Sequence, residues 1–99
     1  MPATLLLLVE TTLLLPGLGR LVLPRPAYEP ALRRLPLHAQ LEVELHLPGG
    51  TLRVPASVEE LQRDEQTRPG LLLEADAVPD LPAGTEIRLP AEWAAIYGW

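Results

Sequence analysis

A strict alternation of apolar and polar residues runs from Leu41 to Leu47, and it constrains the fold more than any other feature of the chain. Successive side chains of a β-strand point to opposite faces, so this pattern buries the apolar set and leaves Glu42, Glu44 and His46 outside. A Pro-Gly-Gly turn follows at residues 48–50, and the alternation resumes over 52–58. The segment therefore predicts an antiparallel hairpin with one buried face.

The remainder of the chain has the same strand-like periodicity, interrupted by proline and glycine at short intervals. We predict further strands over 4–15, 18–23, 71–75 and 85–89, with a long irregular connection between the second strand and the central hairpin. Residues 59–69 are polar, and we favour a loop there over a short helix. A short helix is expected between Pro90 and Tyr97, because proline is favoured in the first turn of a helix.

Six or seven short strands joined by tight turns predict an all-β fold, a small and mostly antiparallel β-barrel with a short C-terminal helix, since closure removes exposed strand edges. We assign residues 1–90 to the barrel and residues 91–99 to an aromatic tail. A chain of 99 residues forms one core without a disulfide or a metal ion. The predicted core residues are Leu41, Val43, Leu45, Leu52, Val54, Leu72 and Ile87.

The charge of the chain is unevenly distributed. The eight basic residues are all arginine, and with 13 acidic residues they give a net charge of -5. Residues 16–41 carry four arginines and one acid, whereas residues 59–80 carry seven acids and two arginines. Nucleic-acid affinity depends on neutralising phosphates with Lys and Arg, so nucleic acid is a disfavoured partner. The candidate anion-binding residues are Arg20, Arg25, Arg33 and Arg34.

The sequence assigns no catalytic, cofactor-binding or metal-binding residue, and we expect a protein that is not an enzyme. Ser57 is the only serine, and without nucleophile-elbow spacing it is expected to be an exposed strand hydroxyl. Glu42, Glu44 and His46 share one strand face, but residues two apart on a strand lie about 7 Å from each other. They are therefore expected to form a solvated face and not a metal site.

Residues 15–22, Leu-Pro-Gly-Leu-Gly-Arg-Leu-Val, resemble the opening of the second domain of elongation factor Tu and related translation GTPases. Residues 71–73 and 78–87 resemble the closing pattern of that domain, so the resemblance covers residues 9–89. It implies a small β-barrel. Leu18 replaces the arginine usual between the two glycines, and Ala39 and Gln40 replace a Gly-Asp pair, which weakens any transfer of tRNA or ribosome contacts. The chain also lacks a Gly-Lys-Ser/Thr phosphate loop, which excludes GTP binding through one.

A second resemblance is to PilZ domains, small barrels that bind cyclic di-GMP. Arg33, Arg34, the central hairpin and residues 70–89 are similar to the outline of that family. Its second arginine would stand four positions later, where this chain has Leu37 and His38, and its Asp-x-Ser-x-x-Gly motif is missing. The resemblance implies a nucleotide receptor as the alternative to a protein-interaction module.

Three of the four aromatic residues fall within the last seven positions. A short helix would bring aromatic and apolar side chains three and four positions apart to one face. That face either plugs the barrel or forms a contact with a protein partner or a second copy of the chain. The candidate interface residues are Trp93, Ile96, Tyr97 and Trp99.

The apolar run at residues 5–9 is too short to span a membrane and has no basic residue before it, so we expect a cytoplasmic protein without a membrane partner. The absence of asparagine and cysteine, with 12 prolines, fits either a thermophile or a GC-rich genome. The leading functional hypothesis is a non-enzymatic, stand-alone β-barrel module without a cofactor. The alternative is a receptor for cyclic di-GMP or RNA.

Overall fold

Six antiparallel strands close into a β-barrel, which confirms the predicted fold class. The computed structural model describes residues 3–74 and 78–99. The strands are β1 Thr4–Leu15, β2 Gly19–Pro24, β3 Gln40–Leu47, β4 Gly50–Arg63, β5 Gln66–Leu73 and β6 Glu86–Leu89. Around the barrel they follow the order β1-β2-β5-β4-β3-β6, and β6 pairs back with β1.

In the part of the chain that the structure describes, helical structure is confined to three short segments. The proline-rich connection after β2 contains a 3-10 turn, Pro26–Tyr28, and a single helical turn, α1 Glu29–Leu32. This connection is more ordered than the sequence predicts, because Leu32 and Leu35 are buried in the core and hold it against one end of the barrel. The second helix, α2 Ala91–Ile96, confirms the predicted C-terminal helix. Within residues 3–74 and 78–99, no helix has the length and apolar character needed to cross a membrane.

Five of the seven predicted core residues are buried, and two are not. Leu72 is half-buried because β5 pairs Leu71 with Val22 and Val58, which turns Leu71 and Leu73 inward and Leu72 outward. Leu52 is 38% exposed. It pairs with Leu45 of β3, but on its other side β5 already ends at the level of Ala56, so no strand among the described residues covers it there.

The prediction of a loop over 59–69 is wrong. These residues form the outer half of the β4–β5 hairpin, which is paired without a register shift from Ala56 and Leu73 to Arg63 and Gln66. Asp64 and Glu65 make the turn with φ values of 50° and 66°. Two successive residues of positive φ are the signature of the type I′ turn that suits a two-residue hairpin. Of the predicted strand 71–75, Ala75 lies outside the described residues.

The alternation of strand direction places the connections at two ends of the barrel. The β1–β2 turn, the β3–β4 turn and the C-terminal end of β5 lie at one end, and we call this the Arg20 end. The β2–β3 connection, the tip of the β4–β5 hairpin and the tail lie at the other, the α1 end. Each candidate residue can therefore be assigned to an end by its position in the chain.

Candidate binding site

The four candidate arginines do not form one surface. Arg20 begins β2 at the Arg20 end, and Arg25 follows the last residue of β2, about 16 Å away for a strand that rises 3.2–3.4 Å per residue. Arg33 and Arg34 follow α1 at the α1 end. A ligand at one end of the barrel would therefore meet three of these arginines at most.

Three of the four guanidinium groups already have partners within the chain. Arg20 lies 3.4 Å from the carboxylate of Asp80 and donates to the Thr12 hydroxyl at 3.2 Å. Arg33 donates to the carbonyl oxygen of Thr67 at 2.9 Å. The Arg34 guanidinium lies 4.4 Å from the centre of the Trp99 ring, a cation–π distance. An anion would have to compete with these contacts for the same groups.

The aromatic tail folds back onto its own barrel. The Trp93 and Tyr97 rings stack with their centres 6.5 Å apart, as expected for residues four apart on a helix. The Tyr97 hydroxyl donates to the carbonyl oxygen of Gln40 at 2.8 Å, and Trp99 also packs against the core. Ile96 is 65% exposed and does not share their face. The structure thus brings three of the four candidate interface residues together on the barrel and leaves Ile96 in solvent.

A shallow pocket of about 190 Å³ opens at the α1 end, between β4 and the segment that follows α1. Its apolar lining consists of Leu35, Leu37, Val58 and Pro69. The charged residues Arg33, Glu59 and Glu60 also line it. Neither Arg20 nor Arg25 reaches it. The pocket combines an apolar floor with net negative charge.

Beside the pocket, the Glu59 carboxylate accepts hydrogen bonds from two residues. The Ser57 hydroxyl donates to one oxygen at 2.8 Å, and Nδ1 of His38 lies 2.8 Å from the other. Ser57 is 4% exposed, which corrects the prediction of an exposed hydroxyl; its oxygen is engaged by the carboxylate two residues further along β4. The contacts fix the position of Glu59 at the rim of the pocket.

An ion-pair network ties the α1 end together. Arg68 of β5 contacts Glu10 at 2.8 Å and Glu29 at 3.0 Å, and it donates to the carbonyl oxygen of Pro24 at 2.8 Å. Burial acts to lower the pKa of Arg68, but the hydrogen bonds and charges of the two carboxylates outweigh it and leave that pKa raised. The network links β1, β2, α1 and β5, so the connection that carries Arg33 and Leu35 is held in place.

The outer face of β3 carries one ion pair and one contact between a glutamate and a histidine. Glu42 contacts Arg53 at 3.1 Å, and Glu44 lies 3.3 Å from Nε2 of His46. Among the residues that the structure describes, no three His, Asp or Glu side chains converge as metal ligands would. Comparisons with protein-family models, curated proteins and solved structures found no match.

Sequence reasoning did not find the pocket. Its residues come from the connection after α1 and from the outer half of the β4–β5 hairpin, two segments that are separate in the sequence. Part of this geometry depends on His38, whose φ of 68° is a backbone conformation that is uncommon for residues other than glycine. The sequence does not display that dihedral angle.

Proposed function

We propose that this protein is a non-enzymatic β-barrel module that binds a segment of a protein partner in the pocket at the α1 end. The observation that carries the proposal is the lining of this pocket. Leucine, valine and proline residues of the lining offer contact to an apolar side chain, and the net negative charge of the lining favours a cationic neighbour. The net charge of -5 adds a longer-range attraction for a basic partner.

The same lining disfavours the alternative, a receptor for cyclic di-GMP or RNA. Phosphates placed in the pocket would lie near Arg33 but also near the acidic residues Glu59 and Glu60. Arg34 is stacked on Trp99, and Arg20 lies at the other end of the barrel. The resemblances to translation factors and to PilZ domains concern the general outline of the fold, and we propose no role in translation.

Selection from a random peptide library on the full chain tests the proposal. Peptides that bind should share a large apolar residue beside a lysine or arginine. Glu60→Arg should weaken their binding by about tenfold, the scale of a close charge pair. Glu74→Arg makes the same charge change on an exposed residue at the Arg20 end and should leave affinity within about twofold. Failure to enrich any peptide, or equal loss in both variants, would contradict the proposal.

The alternative has a separate test. Calorimetry with cyclic di-GMP and a salt-dependent RNA shift assay should show no specific binding. If binding occurs, combined Arg33→Ala and Arg34→Ala changes should weaken it and flatten its salt dependence. We also propose a cytoplasmic location, which cell fractionation would test.

A further inference from the structure

Among the residues that the structure describes, no strand pairs with one edge of the outer half of the β4–β5 hairpin. In an antiparallel pair, successive residues direct their backbone groups alternately to one neighbouring strand and to the other. Val58 directs its groups away from β5, because its N–H donates to Ala39 and its C=O accepts from His38. Glu60 and Gln62, two and four residues further along β4, therefore point the same way. Beyond Val58, no backbone hydrogen bond from another segment of residues 3–74 and 78–99 reaches that side.

The opposite edge of the same hairpin is closed. Along β5, the residues that direct their backbone groups away from β4 include Thr67 and Pro69. The carbonyl oxygen of Thr67 accepts from Arg33, and proline has no N–H to donate. Proline and charged side chains are common means of blocking an exposed edge. The hairpin thus has one blocked edge and one available edge, and the available edge lies beside the pocket.

The available edge has a definite charge. Residues 59–65 carry four acids and one arginine. Among the described residues, Glu60, Asp64 and Glu65 take part in no ion pair, whereas Glu59 is held by His38 and Ser57. A strand that pairs here would place its residues within reach of these carboxylates. Charge complementarity therefore favours an extended segment rich in lysine or arginine.

We propose that the partner binds by adding a basic, extended strand to the β4 edge at Glu60 and Gln62, with an inward side chain in the adjoining pocket. This inference rests on the proposed function and specifies its mode. Strand addition uses main-chain hydrogen bonds for affinity and alternate side chains for specificity. Glu60 and Gln62 together offer two N–H donors and two C=O acceptors. The pocket wall includes Val58 and Glu60, so it continues the face that inward side chains of the added strand would occupy.

The test uses the full chain and a synthetic octapeptide of alternating arginine and valine, acetylated and amidated. Amide hydrogen exchange in the free protein should be fast at Glu60 and Gln62 and slow at Leu61, whose backbone faces β5. Saturating peptide should slow exchange at Glu60 and Gln62 by at least about tenfold, because a paired amide opens less often. Leu61 is the internal control and should change little. An octapeptide of alternating glutamate and valine should leave all three unchanged.

Two N-methylated versions of the peptide separate strand pairing from pocket binding. Alternate residues of the bound peptide would direct their N–H groups toward β4 or away from it. N-methylation of the residues that face β4 should abolish binding, and N-methylation of the residues that face away should be tolerated. If the arginine–valine peptide does not bind, or binds without protecting Glu60 and Gln62, the inference is overturned. The library selection then still decides the proposed function. A dimer of the protein that protects these two amides would also overturn it, by assigning the edge to self-association.

Discussion

Gly19 is the residue at which a side chain is least compatible with the barrel. Its φ is 134°, a region that L side chains rarely adopt, and a Cβ placed there would overlap the carbonyl oxygen of Leu73. The residue lies where β2 approaches the end of β5, so the barrel closes tightly at this point. Gly49, in the turn between β3 and β4, has open space around its Cα.

We expect Gly19→Ala to lower the free energy of unfolding by at least about 2 kcal/mol, because the methyl group forces β2 and β5 apart. Gly49→Ala is the matched control and should change it by less than about 1 kcal/mol. Urea titration of both variants measures the difference. Equal stability of the two would show that β2 and β5 separate without cost.

At the scale of elements, the sequence predicts strands that have a clear apolar alternation. It does not predict strands whose structure depends on contacts with distant segments of the chain. The strand expected over 41–47 is present as Gln40–Leu47, because its alternation reports one buried face. Residues 59–69 have no apolar alternation because this part of the hairpin extends past the core. Its strands have no buried face there, so the sequence shows no strand periodicity. The error at Leu72 has a related cause. In a run of three leucines the sequence does not show which side chains point into the core, and the pairing of β5 with β2 and β4 determines it. The arginines were grouped by proximity in sequence, but one strand separates Arg20 from Arg25.

The α2 tail fills a gap in the barrel wall. β3 pairs with β6 from Glu44 to His46, and the Tyr97 hydroxyl bonds to Gln40 beyond the end of that pairing. Trp93→Ala should therefore lower the free energy of unfolding by about 2–3 kcal/mol, less than the loss for a fully buried tryptophan. Ile96→Ala removes an exposed side chain of the same helix and should cost less than about 0.5 kcal/mol. Thermal denaturation measures both. The reverse order of effects, with a dimer in solution, would favour the interface interpretation of the tail.

At the scale of the whole molecule, barrel and tail form one packed unit. Trp93, Tyr97 and Trp99 pack against the same core that the strands enclose. Both tryptophans of the chain lie in the tail, so tryptophan fluorescence reports on its docking. Far-UV circular dichroism reports on the strands.

We expect urea transitions followed by fluorescence and by circular dichroism to coincide, as they do for a small two-state domain. The physical reason is that the tail packs against the barrel and completes its wall, so the two are expected to unfold together. A fluorescence transition at clearly lower urea would show that the tail detaches while the barrel stays folded.

The acidic edge of β4 also bears on how copies of this protein behave toward one another. Two copies meeting edge to edge would be related by a two-fold axis, so the acidic edge of one copy would face the acidic edge of the other. Like charges placed directly opposite on paired strands are unfavourable. The carboxylates that favour a basic strand thus also oppose edge-to-edge pairing between copies of the protein, and with it aggregation. Neutralising them to obtain a tighter or broader binder would sacrifice that protection, so affinity and solubility depend on the same side chains.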